Sequence, residues 1–133
     1  MANAMGDYLE NALLNHVLGG TTYTPGPIYA ALFTDSCTLA ELESGDLGDE
    51  IAGTNYSRVE VPFSSWTISN GIATNNTAIT FPTATGTWGN IRFMALLNSN
   101  GDVLFYGQLG SDVPITDNTF SFNVGALSIT IDS

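Results

Sequence analysis

The chain has 133 residues, 44% of them apolar and only 11% charged, with 13 acidic residues against two arginines, Arg58 and Arg92, and no lysine. That length suits a single domain, 1–133, with enough apolar side chains for a core. A formal net charge of −11 argues against a phosphate-binding surface, which needs clustered Lys and Arg, and against attraction to an anionic membrane.

The polar surface is carried by Thr, Ser, Asn and Gly, a palette that favours extended chain and turns over helix. Cys37 is the single cysteine, so an internal disulfide is impossible and the thiol is expected to act as a small hydrophobe. No apolar run approaches a membrane span, and the N-terminus lacks the basic region of a signal peptide.

In chain order, Asp7 to Leu18 reads as one helix, with Leu9, Ala12, Leu13, His16 and Val17 on one stripe. Asp7 is the expected N-cap, with Glu10 completing a capping-box-like pair, and Gly19-Gly20 the stop. So short a helix must dock its stripe on something, either its own sheet or a neighbouring subunit. Thr21–Pro27 is a polar connector. Ile28–Phe33 is the first expected strand, apolar on both faces and so central or covered on both sides.

Residues 35–55 break the pattern. They hold six of the thirteen acids (Asp35, Glu41, Glu43, Asp46, Asp49, Glu50), with Leu39, Leu42 and Leu47 as apolar anchors and one possible helical turn at Thr38–Glu43. The segment reads as an acidic surface loop.

Short strands then follow: Arg58–Phe63, with Pro62 marking an edge; Trp66–Ile68 and Ile72–Thr74 around the turn Ser69-Asn70-Gly71; Ala78–Phe81; Ile91–Leu97 and Val103–Leu109 around Asn98–Asp102; Thr119–Phe122; and Leu127–Ile131. About eight short strands at this spacing predict a mainly β fold, a β-sandwich or jelly-roll-like domain with a short N-terminal helix.

No catalytic constellation emerges, and the chain is not expected to be an enzyme. His16 is the only histidine, so a Ser-His-Asp triad would need it as base, and its place on the apolar stripe reads as packing with one local partner. One His and one Cys leave no set of N and S ligands for a transition metal. A glycosidase needs two carboxylates about 5–10 Å apart in a cleft, whereas most acids here lie in one loop or at turns. Asn98, Asn100 and Asp102 alternate like calcium ligands, but no Glu follows at the EF-hand offset; a turn is the simpler reading. Neither a metal nor any other cofactor is expected. Trp66, Trp88 and the tyrosines offer sugar-stacking platforms, although Trp88 reads better as a core anchor. Arg58 and Arg92 are expected to anchor acidic loops of the same fold.

The segment Gly6-Asp7-Tyr8-Leu9-Glu10-Asn11-Ala12-Leu13-Leu14-Asn15-His16-Val17-Leu18 resembles the opening of a family of small bacteriophage virion proteins. The resemblance continues through Tyr23-Thr24-Pro25, Ile28–Thr34 and Tyr56–Phe63, and is strongest at Ile79-Thr80-Phe81-Pro82-Thr83-Ala84-Thr85-Gly86-Thr87-Trp88-Gly89. It ends with Leu104–Gly107 and Gly125–Thr130, and it omits the acidic loop.

That resemblance implies a virion component, either a capsid cement (decoration) protein or a tail fibre protein, and carries over no catalytic residue. Compact size, strong charge, and the absence of repeats or coiled coil favour the capsid decoration reading. Such a protein would bind the major capsid protein at capsomer junctions and pair with itself, a homotrimer suiting either role. The expected interface residues are Leu9, Leu13, Val17, Tyr23, Pro25 and Pro27. The competing class is a tail-tip or fibre protein that binds a host-surface receptor.

Overall fold

Antiparallel strands dominate the chain. The computed structural model describes residues 2–130. The elements run β1 (Ala2–Met5), α1 (Asp7–Val17), β2 (Tyr29–Thr34), α2 (Leu39–Ser44), β3 (Val59–Glu60), a 3-10 turn (Phe63–Ser65), β4 (Trp66–Ser69), β5 (Ile72–Asn75), β6 (Ile79–Thr80), β7 (Thr87–Leu97), β8 (Val103–Thr116), β9 (Ser121–Phe122) and β10 (Ser128–Thr130). Ile131, placed by the sequence at the end of the last strand, lies outside the described residues.

Among the described residues three sheets form: β1-β8-β7-β2-β3, β10-β5-β4 and β6-β9. The doubly apolar β2 sits between β7 and β3 and is buried on both faces, because alternate side chains enter different cores. Ala30 and Leu32 join Met94, Leu96, Phe81, Phe122 and Leu127 in the core between the large sheet and the two small ones. This is the β-sandwich that the strand spacing predicts. Ala31 and Phe33 join Phe93, Ala95, Leu97, Cys37 and Leu42 in a second core on the opposite face.

A register shift between Ile91 and Phe93 sends these two residues of β7, two positions apart, into different cores. Without it the two residues would share a face. With it, Ile91 enters the first core and Phe93 the second.

The N-terminal segment departs from expectation. β1 carries no strand pattern in its sequence, yet it pairs with β8 from Ala2↔Gln108 to Met5↔Phe105. The helix cap is Gly6, not Asp7, and no side chain caps it. Gly6 passes against the Val103 carbonyl, where any Cβ would collide, and its N–H donates to the Leu104 carbonyl at 2.9 Å. Backbone contact with the sheet, not a side-chain cap, fixes where the helix begins. The capping device sits instead on α2: Thr38 Oγ1 accepts the Glu41 N–H at 3.2 Å and donates to Glu41 Oε1 at 3.1 Å. Gly45, at φ 91°, ends that helix.

The 35–55 segment is more than a solvated loop. α2 buries Leu42, Leu47 packs on the second core, and Ile51 reaches the first. Its return arm runs along β2, where Thr34 donates to the Asp49 carbonyl and Ile51 to the Leu32 carbonyl. It thus continues the sheet edge where the two-residue β3 stops. β7 and β8 also run longer than the sequence suggests, to Thr87 and Thr116, with bulges absorbing the irregular residues.

Candidate interaction surface

A strongly apolar cleft of about 250 Å³ lies between the large sheet and the β4–β5 hairpin. Ile28, Leu96 and Phe105 form one wall; Trp66, Ile68, Ile72, Ala73 and Ile129 form the other. The hairpin forms because Asn70 (φ 55°) and Gly71 (φ 77°) both take the positive φ that a two-residue type I′ turn requires. At its tip Ile68 is 75% exposed and Ile72 40%. Among the described residues, the Trp66 indole Nε1 is the one buried side-chain polar atom without a hydrogen-bond partner.

A shallower depression of about 230 Å³ adjoins it through Ile28 and is lined by Pro25, Gly26, Pro27, Glu60, Val61, Pro62 and Phe63. Two of the expected interface residues, Pro25 and Pro27, meet there with the exposed Phe63. Tyr23 lies apart, half-buried. Its N–H donates to His16 Nδ1 at 2.9 Å, and Thr21 N–H donates to the Asn15 carbonyl, which folds the connector back on α1.

The helix stripe divides. Leu9 is buried and Leu13 half-buried, whereas Val17 is 73% exposed. α1 packs on β8 and α2, and its last turn projects Leu14, Val17 and Leu18 into solvent. Sequence reasoning missed Leu14 and Leu18, because the stripe placed them off the apolar face. His16 has the single local partner expected of it but is exposed rather than packed.

The remaining reactive side chains are tied into the fold. Arg58 grips Glu50 with two hydrogen bonds of 2.9 and 2.7 Å and so anchors the acidic segment. Arg92 pairs instead with Asp112 on the neighbouring strand, and that guanidinium holds the Asp112 carboxyl below its ordinary value. Trp88 is a core anchor: it is buried, meets Tyr56 edge-on at 5.4 Å, and donates Nε1–H to the Thr54 carbonyl. Asn98 Oδ1 accepts the N–H groups of Asn100 and Asp102, and its amide donates to Asp102 Oδ2, so these side chains close a turn on one another.

Cys37, Glu41 and Asp49 bring ligand atoms within 4.8 Å of one another. Burial and the nearby Glu41 carboxylate push the Cys37 thiol up to about 11, so at neutral pH it stands as a neutral thiol.

Compared with known families, the chain is a small phage virion structural protein, as the resemblance across Tyr56–Phe63 and Ile79–Gly89 implies. The family described as "Podophage GP4 fiber I protein gp80" matches residues 4–130, and the chain belongs to it. A search of curated proteins gives no match.

Proposed function

We propose that the chain serves in the phage tail as a fibre component that acts by binding, not by catalysis. The observation that carries this reading is membership, over residues 4–130, of a family described as a fibre protein. The surface supports a binding role. Its concave parts are lined mostly by apolar, proline and aromatic side chains, with Glu60 at the shallower one, and its lone histidine is held by a backbone N–H.

The capsid decoration reading, with the major capsid protein as partner, draws on the exposed end of α1, which has the form of a grip. Copy number per particle separates the two. Quantitative mass spectrometry of purified virions is expected to give a handful to a few tens of copies; hundreds would place the chain on the head and overturn the tail reading. Binding of the isolated protein to host cells, without turnover of host polysaccharide, is the second expected result.

A further inference from the structure

We propose that two copies of this chain pair along the open edges of β4, antiparallel and about a two-fold axis, joining their β10-β5-β4 sheets into one. The assignment goes beyond the fibre reading and holds wherever in the virion the chain sits.

The edge is open in its hydrogen bonds. Among the described residues β4 is the outer strand of its sheet, with β5 as its one neighbour. Asn76 N–H donates to the Ser65 carbonyl, and bonded positions alternate along an antiparallel pair. Ser65, Thr67 and Ser69 therefore bond across to the β5 side, and the N–H and C=O of Ile68 point the other way. The Trp66 N–H on that side is taken by the Phe63 carbonyl. Thr67, Ile68 and Ser69 are all exposed, Ile68 by 75%, so an incoming strand can reach them.

The edge is also unguarded. Exposed edge strands are ordinarily shielded by charge, proline, a bulge or shortness. β3, at the edge of the large sheet, is two residues long, carries Glu60 and is closely followed by Pro62. β6 is two residues long and is closely followed by Pro82. β4 has four residues, Trp66-Thr67-Ile68-Ser69, without charge or proline, and its pairing with β5 runs without a register shift. Such an edge is a template for strand addition.

Charge and symmetry select a copy of the chain as the added strand. Copies at −11 repel one another wherever their acids face. From Val61 to Ile91 the sequence carries no charged residue, so along β4 two copies meet without opposing carboxylates. In an antiparallel pair about a two-fold axis, the residue on the axis exchanges both backbone bonds with its own counterpart. Ile68, with donor and acceptor both outward, meets that requirement. Its N–H then donates to the Ile68 carbonyl of the second copy, and the reverse. Thr67 stands opposite Ser69 of the second copy, and the exposed Ile68 side chains cover each other. Both edges are used up, so assembly stops at a dimer.

Sedimentation of the full chain over a range of concentrations tests this. The contact is small, so a dissociation constant of about 10–100 µM is expected, with twice 14.0 kDa as the limiting mass. Added sodium chloride is expected to tighten the dimer by screening the repulsion between copies. Ile68→Pro removes the outward N–H and leaves the bonds to β5 in place; it is expected to stay monomeric, with circular dichroism checking that it is folded. Ile68→Val keeps the N–H and is expected to dimerise within about threefold of the wild type. In the wild type itself, amide exchange at Ile68 is expected to slow as concentration rises. A wild type still monomeric at about 500 µM overturns the proposal, as does a trimer or larger assembly. So does association that salt weakens, a folded Ile68→Pro that dimerises like the wild type, a monomeric Ile68→Val, or Ile68 exchange that ignores concentration.

Discussion

The Tyr56 hydroxyl accepts the backbone N–H of Leu32 at 3.0 Å and so occupies the place of a strand where β3 ends. Its own proton goes to Glu50 Oε2 at 2.8 Å, and Glu50 is held by Arg58. One phenol thereby ties the central strand to the acidic segment. Tyr56→Phe leaves the ring packed on Phe81 and Trp88 but strips a buried N–H of its acceptor. Urea unfolding is expected to show a loss of about 1–3 kcal/mol; no change would mean that this bond does not secure β2.

Asn75 makes a comparable link between the small sheets. It is 1% exposed; its amide donates to the carbonyls of Thr77 and Asn123, and its Oδ1 accepts the Leu127 N–H. Asn75→Leu, of similar size, leaves these groups unpaired where water cannot reach them. It is expected to cost about 3 kcal/mol or more, seen as a large drop in thermal midpoint. A midpoint within a degree of wild type would contradict that role.

Alkaline pH is expected to loosen the α2 side of the domain. Burial and the Glu43 carboxylate, to which the Tyr106 hydroxyl donates at 3.2 Å, push Tyr106 up to about 12. The folded state therefore keeps a proton that the unfolded chain releases near the ordinary tyrosine value of about 10. The resulting stability is fully present below that value and is lost as pH rises through about 12. Tyr56, raised in the same direction chiefly by burial, adds to the loss. Denaturant midpoints should fall from pH 10 to 12, and less steeply in Tyr106→Phe; equal slopes would refute the assignment.

Gly6 has no room for a side chain against the Val103 carbonyl. Gly6→Ala must shift β1 or α1 away from β8 and is expected to destabilise by about 1–3 kcal/mol. Limited proteolysis should then cut first near the N-terminus. Unaltered stability and cleavage would show that the junction tolerates a shift.

Some of this architecture was legible in the residues themselves. The double apolar face of 28–33 marked a strand covered on both sides, Asn70-Gly71 marked a hairpin, and Trp88 read as a core anchor. These are local patterns whose physical meaning survives in any sandwich. β1 was not legible, because Ala2–Met5 has no alternation and is a strand only by virtue of the β8 edge it meets. Nor was the cap at Gly6, which depends on the backbone of Val103, nearly a hundred residues away in sequence. The Trp66 cleft likewise arises where two sheets from distant segments face each other.

By itself the sequence determined a mainly β, acidic domain with a short helix and the resemblance that its family membership bears out. Periodicity, turn chemistry and charge are properties of neighbouring residues, so they can be read along the chain. Tertiary structure alone decided which side of the helix is spent inside. Leu9 is buried while Leu14, Val17 and Leu18 stand free. The reason is geometric: an amphipathic stripe names the residues that want burial, but only the angle at which α1 meets β8 and α2 selects which of them the sheet can cover.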